Sequence, residues 1–365
     1  SDVTNNSMYT HNVSATDSTA AFNTAYGFAA MDAITTGDNN VAIGASAASA
    51  LTTGFDNVAI GKSALGTSST GSYNTAVGAL SMASAIVTGA NNTGLGYYSG
   101  RLLTSGASNV LLGAYTGANL NVGNANVAIG LQALYTSVDG SNNTAVGHQA
   151  LMDYEDGDGN GSNTAIGSYA MTNVTTGEFN TSLGSLSMGV GVTTGDNNVA
   201  LGYTAGEDLT SGHSSVLIGS GAGQQLTTGI KNVAVGALAL NAENAHGLNV
   251  AVGYGALYTL DAGVDGYNAA VGYQSGVTMT TGVNNTLVGG QSGNSLTTGS
   301  DNVAIGREAL VTEDTGGRNT AIGRSALATL DYNGSGYNTA VGYAAGTAMT
   351  TGVENTLIGG LAGDA

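Results

Sequence analysis

The alternation of polar, apolar and glycine positions along this chain repeats with one short motif, Asn-[Val/Thr]-x-[Ile/Val/Leu]-Gly, from near its start to its end. The motif is seen in Asn40-Val41-Ala42-Ile43-Gly44, in Asn126-Val127-Ala128-Ile129-Gly130 and in Asn302-Val303-Ala304-Ile305-Gly306. Its first position falls at 23, 40, 57, 74, 92, 109, 126, 143, 163, 180, 198, 215, 232, 249, 268, 285, 302, 319, 338 and 355, and fourteen of the nineteen intervals are 17 residues. The first position is Asn in every copy except Ser215, and the fifth is always Gly. Successive strand residues face opposite ways, so positions two and four share a face and position three points away. With β-branched or aliphatic residues at two and four, the pattern predicts a short strand that buries that pair. Seven residues after each Asn stands a small residue, as in Ala47, Ala64, Ser99 and Ala309, which predicts a second, tightly packed strand. A turn such as Thr35-Thr36-Gly37 or Thr227-Thr228-Gly229 closes most coils. Glycine there would supply positive φ, and the following Asn would bond locally to its own backbone.

Two strands and two turns in 17 residues make one coil of a parallel β-solenoid or β-roll. A helical solenoid needs repeats of about 33–47 residues. The expected fold is therefore all-β, about 20 coils over residues 23–365 as a single repetitive domain, with residues 1–22 as a non-repeat cap or joint. At about 4.8 Å between stacked strands, such a stack would be on the order of 95 Å long. Each coil buries few side chains, at roughly 1.5–3 kcal/mol apiece, against an ordering cost of about 1–2 kcal/mol per residue. Stacking must make up the difference, and so thin a cross-section favours several chains side by side.

Composition narrows the function classes. Of 365 residues, 60 are glycine, none is proline, cysteine or tryptophan, and only 8% are charged. Disulfides, thiolate metal sites and thiol catalysis are excluded. The formal net charge of −18 repels phosphate backbones and anionic lipid surfaces, so nucleic acid is not an expected partner. No apolar run is long enough for a membrane-spanning helix, so no membrane insertion is expected. The coils are short and uniform, with no clustered acid–base pair, which argues against an enzyme.

The units Asn-Val-Ala-Ile-Gly and Asn-Thr-Ala-Val-Gly, with a small residue at a fixed offset, resemble two repeat families. One is the head of trimeric autotransporter adhesins, and the other is the repetitive shaft of phage tail fibres. The resemblance covers residues 23–365, and the 17-residue pitch with Thr-Thr-Gly turns is closer to the shafts. It implies a left-handed parallel β-roll, a side-by-side homotrimer and an extracellular structural or adhesive role. That role would be a virion tail-fibre shaft or receptor-binding appendage, or alternatively a bacterial or archaeal surface adhesin or filament subunit. Its partners would be copies of itself and a cell-surface receptor or glycan.

A longer period overlies the short one. Gly202-Tyr203-Thr204-Ala205-Gly206, Gly272-Tyr273-Gln274-Ser275-Gly276 and Gly342-Tyr343-Ala344-Ala345-Gly346 lie 70 residues apart, and Gly96-Tyr97-Tyr98-Ser99-Gly100 is a fourth copy off that spacing. Duplication of four-coil blocks explains them more simply than a binding role for tyrosine. The three longest coils share an insertion with Asp seven residues before the next motif Asn, at Asp156, Asp261 and Asp331. The first, Asp156-Gly157-Asp158-Gly159-Asn160-Gly161, matches the start of a calcium loop, in which side-chain oxygens of alternate residues converge on a cation. Asp156, Asp158 and Asn160 are thus the candidate Ca2+ ligands and Ca2+ the only candidate cofactor. The Glu expected at the twelfth loop position is replaced by Gly167, and a polar turn tolerant of insertion is the simpler explanation of the segment. The four histidines, His11, His148, His213 and His246, are too dispersed to predict a metal site.

Overall fold

A computed structural model of the protein describes residues 8–9, 19–155 and 159–364. Among these residues there is no helix, and every strand is parallel to its neighbours. The chain forms two compact units, Ser1–Asn180 and Thr181–Ala365. In the first unit β1 (Met8–Tyr9) pairs with β2 (Thr24–Tyr26). After it come β3 (Val41–Ile43), β4 (Val58–Ile60), β5 (Thr75–Val77), β6 (Thr93–Leu95), β7 (Val110–Leu112), β8 (Val127–Ile129), β9 (Thr144–Val146) and β10 (Thr164–Ile166). The second unit holds β11 (Thr181–Leu183), β12 (Val199–Leu201), β13 (Val216–Ile218), β14 (Val233–Val235), β15 (Val250–Val252), β16 (Ala269–Val271), β17 (Thr286–Val288), β18 (Val303–Ile305), β19 (Thr320–Ile322), β20 (Thr339–Val341) and β21 (Thr356–Ile358). Each strand from β2 onward covers motif positions two to four. Like position meets like across each pair, as in Val41↔Val58, Ala42↔Ala59 and Ile43↔Ile60. Each unit is a parallel β-solenoid with a 17-residue pitch, and together they carry about 20 coils.

The facing of the strand is the reverse of the expectation. Position three points inward: Ala42, Ala59, Ala76, Ala128 and Ala304 are fully buried. Positions two and four face outward, and Ile43, Leu112, Ile166 and Ile305 expose about two fifths of their surface. The interior is too narrow for a branched pair. It is filled by the position-three residue, the small residue seven after the Asn, the next residue, and an aliphatic residue eleven after the Asn, as in Ala42, Ala47, Ala48 and Leu51.

The expected second strand is also absent; the described residues carry one strand per coil. The opposite wall stacks through backbone hydrogen bonds between coils, such as Ala48 N to Ala64 O (2.8 Å) and Ser63 N to Ala45 O (2.9 Å). Alternate residues there are left-handed, Ser46 at φ 56° and Ala48 at φ 47°, so the wall bends and cannot extend.

At the closing turn, Gly37 and Gly54 do not have the positive φ expected of them. Glycine is required by crowding, since a Cβ on Gly37 would lie 2.1 Å from Gly54 O. The left-handed residue of this turn is instead the one before the motif Asn, Asn39 or Asp56.

Although at Asn249, Asn319 and Asn355 Nδ2 donates to the carbonyl two residues before it, at 3.2, 3.3 and 3.0 Å, most motif asparagines do not turn back on their own backbone as expected. They form a buried ladder between coils: Asn40 Oδ1 accepts from Asn57 N (2.9 Å), while Asn40 Nδ2 donates to Gly54 O (2.9 Å) and to Asn23 Oδ1 (3.2 Å). The pattern recurs at Asn109, Asn126, Asn285 and Asn302. Burying an amide in a thin core is tolerable where the Asn satisfies both a backbone N–H and a backbone carbonyl, as Asn40 does; Asn143 is an exception, its buried Nδ2 having no partner among the described residues.

Candidate functional site

The first unit contains the predicted calcium loop. Asp156 and Asp158 lie outside the described residues. Asn160 is exposed, and its backbone carbonyl accepts from Ser141 N at 2.9 Å, stacking the loop on the coil before it. Nearby Asp153 has its carboxyl raised above the ordinary aspartate range by burial.

The other two insertions, both in the second unit, bring together groups that their own residues did not foretell. Eleven residues after the motif Asn the coil interior normally receives an aliphatic side chain, such as Leu51, Leu209, Leu226 or Leu296. In the coils before the insertions that place is taken by Glu243 and Glu313, both fully buried. Glu243 Oε1 accepts from His246 N (3.0 Å) and Oε2 from Ala262 N (3.3 Å). Seventy residues on, Glu313 Oε1 accepts from Gly316 N (2.7 Å) and Oε2 from Tyr332 N (3.3 Å). In an ordinary coil the corresponding turn N–H donates to a carbonyl of the next coil, as Gly37 N does to Thr52 O. The insertion displaces that carbonyl, and the Glu side chain stands in for it. Burial pushes both carboxyls above the usual glutamate range, partly opposed by these backbone donors.

Around each Glu stand further ligand-type atoms. Glu243, His246 and Asp261 bring two carboxylate oxygens and an imidazole nitrogen within 4.8 Å of one another. His246 Nδ1 is 3.3 Å from Glu243 Oε1 and 3.9 Å from Asp261 Oδ1. It is shielded from solvent, yet its alignment gives it no hydrogen-bond partner. The equivalent group one block later is Glu313, Asp314 and Asp331, with carboxylates only. The shared insertion pattern singles out Asp261 and Asp331. It does not reach Glu243, Glu313 and His246, because each lies in the preceding coil. For the two glutamates the available signal was an acid in a mostly aliphatic row, and for His246 an imidazole in a row of mostly glycine.

A second feature is the outer face of the strands. In each unit, positions two and four form parallel rows of Val, Thr, Ile and Leu, interrupted only by Tyr26 and Ala269, without one charged residue. A third is a surface notch of about 330 Å³ lined by Leu238, Tyr254, Gly255, Tyr258, Gln274 and Val277. Tyr254 and Tyr273 stack beside it with centroids 5.7 Å apart.

The four Gly-Tyr segments have a packing explanation. Leucine replaces the small position-three residue at Leu111, Leu217, Leu287 and Leu357. Each is flanked by glycine eight after the Asn in its own coil and in the coil before. A Cβ on Gly206 or Gly223 would lie 2.7 Å from a Leu217 methyl, and one on Gly100 would lie 2.8 Å from Leu111 Cδ1. The closing glycine of each segment therefore makes room for the next coil's leucine. This also accounts for the copy off the 70-residue spacing.

No protein-family model matches the chain, and no curated protein matches it. No helix among the described residues is long and apolar enough to cross a membrane.

Proposed function

We propose that the chain is a non-enzymatic structural fibre protein that assembles with copies of itself, as a virion tail-fibre shaft or receptor-binding appendage. The observation that carries this reading is the charge-free strand face, with an aliphatic row at position four beside Val and Thr at position two, on a chain of net charge −18. The outward position-four side chains such as Ile43, Leu112 and Ile305 each leave about two fifths of their surface exposed, and a row of them is the kind of surface that a stable interface of roughly 800 Å² per partner covers. A second copy fits such a face because it repeats at the same strand pitch. Three chains side by side is the arrangement that the repeat resemblance supports, and an extracellular location follows from the same reading.

The surface-adhesin alternative draws on the tyrosine-lined notch, whose exposed rings could stack on the sugar rings of a glycan. Light scattering on the purified chain tests the assembly. A trimer supports the proposal, and a stable monomer at tens of micromolar concentration would overturn it. Glycan binding that is lost on Tyr254→Ala would favour the adhesive role.

A further inference from the structure

We propose that Glu243, His246 and Asp261 form a binding site for a divalent transition metal ion of the Zn2+ type. This goes beyond the fibre reading and does not depend on it.

Three observations converge. The first is geometric. Zinc bonds to oxygen and nitrogen are about 2.0–2.1 Å, so neighbouring ligands of a tetrahedral ion lie roughly 3.3 Å apart. The Glu243 Oε1 to His246 Nδ1 distance is 3.3 Å, and Asp261 Oδ1 is 3.9 Å from the same nitrogen. A small closure of the exposed Asp261 side chain completes three ligands, leaving a fourth position on the solvent side for water.

The second is the state of His246. Its Nδ1 is shielded from solvent, lies 3.3 Å and 3.9 Å from two carboxylates, and is hydrogen-bonded to neither. A buried polar atom without a partner carries a cost, and a metal ion would remove it.

The third is that the residue type at 246 is not required by the fold. Fourteen residues after the motif Asn, the neighbouring coils carry glycine, at Gly212, Gly229, Gly282, Gly299 and Gly316. Satisfying the turn explains Glu243, as it explains Glu313. It does not explain an imidazole where glycine is the rule.

The donor set points to a borderline ion rather than Ca2+. Calcium takes six to eight oxygen ligands, whereas two carboxylates and an imidazole suit Zn2+ or its neighbours. The outer-shell contact of the remaining carboxylate oxygen is already in place: Glu243 Oε2 accepts from Ala262 N, as outer-shell contacts orient metal ligands. Bound metal would clip the inserted segment at Asp261 to the preceding coil.

The test uses the full-length chain, free of any affinity tag, stripped with chelator and titrated with Zn2+ by calorimetry and by thermal melting. One equivalent per chain and a raised Tm are expected. His246→Gly, which restores the residue of the neighbouring coils, should lower affinity at least a hundredfold while leaving the metal-free Tm within a few degrees. Asp261→Asn, on an exposed side chain, should lower it at least tenfold. Absence of Zn2+ uptake at hundred-micromolar metal would reduce the cluster to a buried ion pair and overturn the proposal. Unchanged uptake in His246→Gly would overturn it too.

Discussion

A buried asparagine amide is worth most where nothing else can reach the groups it serves. Asn302 Oδ1 accepts from Asn319 N (3.0 Å), and Asn302 Nδ2 donates to Gly316 O (2.9 Å). Asn302→Ala would strand both, at about 1–3 kcal/mol each, and chemical denaturation should register a loss of about 2–5 kcal/mol. The natural exception runs the other way. Ser215 Oγ still accepts from Asn232 N (3.2 Å), but a serine has no amide to send to Gly229 O, fourteen residues on. Ser215→Asn is therefore expected to raise Tm, with a gain of about 1 kcal/mol. The leucine–glycine pairs make a second residue-scale case. Leu217→Ala should cost about 2–5 kcal/mol through the cavity it leaves. Gly206→Leu alone should clash with Leu217, although its φ of 57° is one that Leu65 and Leu134 also adopt. The double variant should therefore be more stable than the two single losses predict, with a coupling of about 0.5–3 kcal/mol in a double-mutant cycle.

Within a single coil the decisive fact is which way a three-residue strand faces. Glu313 shows what happens when the next coil departs from the pitch. Its carboxyl is raised above the usual value of 4.5 by burial, so the folded state holds the proton more tightly than the unfolded chain does. Stability from this group is then greatest below that value and falls as pH rises through the window above it. Melting followed from pH 4 upward in Glu313→Gln should show a smaller decline than in the parent. The pitch, the Asn-to-Gly strand and the parallel stacking were legible in the sequence, because that unit recurs with few departures, whereas the second strand expected after it is a bent wall of left-handed residues. The facing was not. In three residues, two aliphatics flanking an alanine look like the buried pair, and only interior width decides otherwise. Position three did hold a readable signal, since Ala, Gly or Ser gives way to Leu only where glycines stand opposite. The insertions pointed to Asp261 and Asp331, but their partners lie in the previous coil, 15 to 18 residues away, at a distance only the stack closes.

At the scale of each unit, the outward aliphatic rows separate folding from assembly. Ile305 belongs to the exposed face and takes no part in filling the coil interior. Ile305→Asp is accordingly expected to leave the circular dichroism spectrum unchanged while shifting light scattering toward smaller species. The inter-coil hydrogen bonds have a mechanical consequence as well. Within a unit they run from one coil to the next, so a pull along the stacking direction loads them one coil at a time instead of shearing many together. Each release frees a 17-residue loop of contour length about 3.3–3.6 Å per residue. Force spectroscopy should therefore show a ladder of regular extensions on the order of 50 Å, with longer steps where the 19- and 20-residue coils give way. A fibre built in this way would yield under tension by peeling in small increments, absorbing work at each one, rather than by breaking outright.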